Sequence, residues 1–144
     1  MKTAVVVSGS QINFSILAEV AKRLGRVDLQ SDRRMVVEGD FGIFAINFDP
    51  SIADDFDPLE MVKVTDVIKD PHYFLLEYSG MAAANTAIRI LPDQYPVLID
   101  NDHGLIADRS EILARINRAE DWTAHQPGNS ACGARSPDRA PVVS

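Results

Sequence analysis

The chain has 144 residues, 46% of them hydrophobic and 24% charged, which suits one domain with a single buried core. Its 21 acidic against 14 basic residues leave a formal charge of -7. That balance argues against nucleic acid, whose phosphates need clustered Lys and Arg, and in favour of a basic protein partner. Cys132 is the single cysteine, which excludes an internal disulfide and a multi-cysteine zinc site and makes a reducing compartment, the cytoplasm, the expectation. No apolar run has the length of a membrane span, and the opening TAVVVSG lacks the pattern of a secretory signal.

Thr3 to Val7 predicts a first strand. The Ser8-Gly9-Ser10 behind it offers a hydroxyl to the free amides of a starting helix. In that helix Phe14, Leu17, Ala18, Ala21 and Leu24 recur at helical spacing, Glu19 and Arg23 sit four apart on the opposite side, and Gly25 supplies a stop. RMVVEG and GIFAINFD, rich in Val, Ile and Phe and joined by Gly39-Asp40-Phe41-Gly42, predict a hairpin. Asp57-Pro58-Leu59-Glu60 reads as a helix start, with a capping aspartate, Pro in the first turn and Glu three residues on. The β-branched Val62, Val64, Thr65, Val67 and Ile68 pull the other way, but the capping pattern decides for a helix that Asp70-Pro71 ends. A strand over Tyr73–Tyr78, an alanine-rich helix over Met81–Leu91 and two short strands, PVLID and GLIAD, follow. The last helix takes Asp108 and Ser110 as candidate caps, Glu111 as support and Ile112, Leu113, Ile116 and Ala119 as its buried side.

Small, polar, Pro- and Gly-rich sequence replaces this periodicity beyond Trp122, so residues 1–122 read as the globular domain and 123–144 as a flexible tail. Within the domain each half runs strand, Ser-Gly, helix, hairpin. Asp40-Phe41-Gly42-Ile43-Phe44-Ala45 matches Asp102-His103-Gly104-Leu105-Ile106-Ala107 at a constant offset of 62 residues, which raises an internal duplication. The expected fold is α+β: two strand-helix-hairpin units forming one mixed or antiparallel sheet with helices packed on it.

The donor-rich turn in VLIDNDHGLIAD invites a metal or catalytic reading, with Asp100, Asp102 and His103 joined by Glu77 or His72. Strand alternation sends neighbouring side chains to opposite faces, however, and Phe41 stands where His103 does in the other half, so a solvated hairpin turn explains the residues better. Ser8-Gly9-Ser10 and Ser79-Gly80 lack the G-x-S-x-G of a nucleophile elbow, so the serines of both read as helix caps, and no phosphate-binding glycine loop is present. Cys132 has Arg135 as its one notable neighbour and reads as incidental. Hence no catalytic residue, metal or cofactor is expected.

What stands out is where the acid lies. Asp49, Asp54, Asp55, Asp57 and Glu60 occupy a stretch without Lys or Arg, and Asp100, Asp102 and Asp108, with His103 among them, make a second group. These nine positions are the candidate partner-binding residues, since a negative surface attracts a cationic face and repels wrong partners. Phe48, Ile52 and Phe56 are interleaved with the first group, with burial in the core their expected fate.

YFLLEYSG, the helix after it, and VLIDNDHGLI followed by SEILARI resemble the C-terminal portion of bacterial immunity proteins that neutralise polymorphic or contact-delivered toxins, including those of type VI secretion. The resemblance covers residues 73–122. It implies a non-enzymatic inhibitor that binds a cognate toxin, often a nuclease whose basic cleft attracts an acidic surface, and transfers no individual inhibitory residue. Two other readings compete with it: a small enzyme using Asp100, Asp102, His103 and Glu77, and a structural domain that dimerises through an exposed strand.

Overall fold

The computed structural model of the chain describes residues 1–124. β1 (Lys2–Ser8) and β5 (His72–Tyr78) run antiparallel side by side, from Lys2 opposite Tyr78 to Ser8 opposite His72. On one flank of this pair lie β4 (Gly42–Phe48), β3 (Arg34–Gly39) and β2 (Arg26–Ser31); on the other lie β6 (Val97–Asp100) and β7 (Ile106–Asp108). The order is β2-β3-β4-β5-β1-β6-β7, with every neighbouring pair antiparallel.

Alternation along the strands makes two cores. Ala4 and Val6 of β1, Phe74, Leu76 and Tyr78 of β5, and Phe44 and Ile46 of β4 face α1 (Phe14–Ala21), α3 (Met81–Ile90) and α4 (Arg109–Asn117). Val5 and Val7, with Tyr73, Leu75 and Leu98, point to the opposite face. There a 3-10 turn (Pro50–Asp55) and α2 (Pro58–Val67) cover them with Ile52, Phe56 and Val64. We call these the α1 face and the α2 face.

The expected α+β fold is present as one sheet with helices packed on it, and the differences from expectation are local. The serines after β1 and β5 do not cap helices. Asn13 caps α1, its Oδ1 accepting from the Ile16 amide at 3.0 Å, and α3 starts at Gly80 with no side-chain cap. Ser79 Oγ instead accepts the Ile43 amide at 3.1 Å, fastening the start of β4 to the end of β5. Leu24 lies beyond α1 and is 50% exposed, and Glu19 pairs with Lys22 rather than Arg23. Ala119 follows α4 with φ 60 and is exposed. α2 begins on the expected capping box and ends at Val67, short of Asp70-Pro71; most of its β-branched residues lie outward and only Val64 is buried. β2 was not anticipated, because RVDLQS puts one half-buried residue, Val27, against the core and leaves the other five exposed.

The two hairpins are less alike than their sequences. β3 and β4 join through a two-residue turn, Gly39 opposite Gly42, whereas Asn101 opposes Leu105 and three residues lie between them. Gly42 and Gly104 both take positive φ, 109 and 98, yet beyond the turn the correspondence slips by one. Phe44 points into the α1 face and Ile106 does not; Ala107 is the residue on that side. A one-residue slip exchanges faces. Placement differs too: the second strand of the first hairpin adjoins β5, while the first strand of the second hairpin adjoins β1. The structural match therefore stops at strand, helix and hairpin.

Beyond α4 the chain remains part of the body. Trp122 is fully buried, its Nε1 donating to Asn85 Oδ1 at 2.8 Å and its ring 6.4 Å from that of Tyr78. Thr123 is buried and the Ala124 carbonyl accepts from Asn101, so the domain runs through these two residues rather than stopping at 122. The rest of the expected tail, with His125 and Cys132, lies outside the described residues.

Candidate partner-binding face

The acidic stretch after β4 divides by task. Asp49 caps the 3-10 turn, its Oδ1 accepting from the Ser51 amide at 3.1 Å and the Ser51 hydroxyl at 2.6 Å. Asp57 and Glu60 form the capping box of α2: Asp57 Oδ1 accepts the Glu60 amide at 2.8 Å, and Glu60 Oε1 accepts the Asp57 amide at 3.0 Å. Glu60 is 5% exposed, so it cannot serve as a surface charge. Asp54 and Asp55 remain outward at the end of the turn. Ile52 and Phe56, which alternate with them, are buried, Phe56 edge-on to Tyr73 with ring centroids 5.4 Å apart. Phe48 lies against Phe74 and His72 on the other side of the sheet, away from the acid.

The second group divides as well. Asp100, on β6, is 1% exposed and points to the α2 face; its Oδ1 accepts the Asp102 amide at 2.8 Å, a short loop-forming bond. That burial removes it from the outward-displayed set. Asp102 is half-buried with φ 62, and His103 donates its amide to Asn101 Oδ1 at 2.8 Å. Asp108 is exposed and caps α4, accepting from the Glu111 amide and the Ser110 hydroxyl, each at 2.8 Å. It lies at the far end of β6 from the turn and lines a separate depression of about 350 Å³ with Arg109 and the Pro92–Pro96 segment.

The fold brings three of these carboxylates together. Asp55, from the 3-10 turn, and Asp100 and Asp102, from the β6–β7 turn, line one depression of about 110 Å³, with Thr3, Val5, Ile52, Phe56 and Leu75 among its other walls. Side chains 45 or more residues apart in sequence meet there because β1 pairs with β6 on one side and β5 on the other, and the 3-10 turn lies across that junction. A depression lined by both carboxylates and apolar side chains is suited to a guanidinium or ammonium group carried on an aliphatic stem. Among the described residues, no three His, Cys, Asp or Glu are placed to hold a metal ion.

Next to this depression, toward β3, lies a polar network that the sequence reading did not assemble. Arg34 Nη1 donates to Asn47 Oδ1 at 2.6 Å and to Glu77 Oε1 at 3.0 Å; Asn47 Nδ2 donates to the same carboxylate oxygen at 3.1 Å. Arg34 opposes Asn47 in the β3–β4 register, and Asn47 opposes Leu75, two residues from Glu77 on the same side of β5. The signal was the alternation of polar residues on strands whose other face is apolar. The Arg34 hydrogen bond holds the Glu77 carboxyl below its ordinary value. A carboxylate so stabilised is a poor general base, and neither Glu77 nor His103 lines the depression that Asp100 and Asp102 share.

Comparison with protein-family models, with curated proteins and with solved structures finds no match to this chain. No helix among the described residues is long and apolar enough to cross a membrane.

Proposed function

We propose that this protein is a cytoplasmic immunity protein: a non-enzymatic inhibitor that binds a cognate bacterial toxin, such as a contact-delivered nuclease, and covers its basic active-site cleft. The observation that carries the reading is the convergence of Asp55, Asp100 and Asp102 on one depression beside the exposed Asp54. Acid gathered from two remote segments into one face, in a chain of net charge -7, favours encounter with a cationic cleft and disfavours nucleic acid. The resemblance of residues 73–122 to immunity proteins points the same way.

On this reading Asp54, Asp55 and Asp102 make the contact, and Asp49, Asp57, Asp108, Glu60 and Asp100 hold its framework. The test is genetic and biochemical together. Reading frames adjacent to the gene are expressed singly, and one is expected to arrest growth unless this protein is co-expressed. The Asp54→Lys/Asp55→Lys variant is expected to fold and to lose both protection and binding to the purified toxin. Absence of any toxic neighbour, or protection undiminished in the variant, overturns the proposal.

A further inference from the structure

β2 closes one end of the sheet, so one row of its backbone N–H and C=O groups faces away from β3. Its first four residues pair with β3 in unbroken register, Arg26 opposite Glu38 through Leu29 opposite Met35, and the register shifts only between Leu29 and Ser31. The regular part of the edge is therefore Arg26–Leu29. Arg26 and Asp28 lie on the α2 face; Val27 and Leu29 lie on the α1 face, opposite the buried Val37 and Met35. Leu29, at 49% exposure, is an apolar side chain left at the rim of the main core.

We infer that this edge joins a second copy of the chain, β2 against β2 and antiparallel, centred on Val27. Two antiparallel copies of one strand are related by a two-fold axis normal to the sheet, which keeps each residue on its own face. A residue can then oppose only residues of its own parity, and three registers are open to this strand. Centred on Asp28, the strand sets that carboxylate against itself. Centred on Leu29, it needs Ser31, which lies across the irregularity. Centred on Val27, it sets Arg26 of each copy opposite Asp28 of the other, twice over, with Val27 against Val27 and Leu29 over Gly25, which has no side chain to obstruct it. Charge complementarity and the regular stretch of edge select the same register.

The pairing is independent of the proposed toxin contact. The acidic depression lies at β1, β5 and β6, away from β2, and the two-fold axis places both depressions on the same side of the joined sheet.

Sedimentation of the full chain over a concentration series tests the inference. The wild type is expected to dimerise reversibly, and Arg26→Asp and Asp28→Arg each to weaken the dimer at least about tenfold by facing like charges across the axis. An equimolar mixture of the two variants restores opposite charges at both positions and is expected to form a heterodimer of near wild-type affinity. Because Arg26 also pairs with Glu38, Arg26→Gln gives a milder version of the same loss with no new charge there, and circular dichroism verifies the fold of each variant before mixing. A wild type still monomeric at roughly 1 mM, a dimer indifferent to both substitutions, or folded variants that stay apart when mixed would overturn it.

Discussion

The side-chain amide of Asn101 donates to the main-chain carbonyl of Trp122 at 2.7 Å. The same amide reaches the Ala124 carbonyl at 3.0 Å, while its Oδ1 accepts the amides of His103 and Leu105 at 2.8 and 3.1 Å. One side chain, 1% exposed, thus shapes the β6–β7 turn and fastens the segment after α4 to it. Asn101→Ala removes all four bonds in a place water reaches poorly, so it is expected to cost about 2–4 kcal/mol. Denaturant unfolding checks this; a loss below about 1 kcal/mol would mean the junction is not organised by that amide.

Gly42 makes a second sensitive point. Its φ of 109 disfavours any side chain, and a Cβ there would run into Ser79 Oγ. Gly42→Ala is expected to lose about 2–4 kcal/mol. Adding Ser79→Ala relieves the collision but not the backbone strain, so a thermal-melt double-mutant cycle should return part of the loss. Full recovery would assign the whole cost to the collision.

The Arg34–Glu77 pair predicts a pH dependence. Glu77 titrates below its ordinary 4.5 in the folded chain. Its contribution is therefore complete above that value and disappears as pH falls through the lower folded one. Wild type should exceed Glu77→Gln in stability at about pH 7, with the gap narrowing as the pH is taken progressively below 4.5. A gap unchanged across that range would mean that the carboxylate charge contributes nothing.

Neighbouring aspartates should separate by role. Asp57→Ala removes the α2 cap and is expected to cost about 1 kcal/mol; it leaves the exposed charges of the face in place, so on the proposed function binding to the toxin at room temperature should persist. Asp54→Lys/Asp55→Lys alters exposed side chains, should move stability by no more than about 0.5 kcal/mol, and should abolish binding. Paired melting and binding measurements decide between these outcomes, and the reverse pattern would place the contact at the helix start instead.

The elements read correctly from sequence carry their instructions locally. The capping box at Asp57 and Glu60 outweighed the β-branched residues behind it, and Asp108 marked the start of α4. β2 escaped because an edge strand needs little apolar sequence: Val27 alone is even half-buried. Ser79 was misread as a cap because its partner, Ile43, arrives from 36 residues away. The acidic groups were legible as two lists, but their meeting depends on β1 lying between β5 and β6, and no spacing along the chain encodes that. Burial of Glu60 and Asp100 follows from the same packing, and so does the Arg34–Asn47–Glu77 network, assembled from three strands.

That insertion of β1 has a consequence for the newborn chain. The first strand leaves the ribosome long before His72 and Val97, where its two neighbours begin. Until they emerge it has both flanks bare, and β4 waits for the same late arrival on one of its own. Residues up to Asp70 can form the β2–β3–β4 meander and helices but no closed core, so apolar strand surface stays open until β5 and β6 are made.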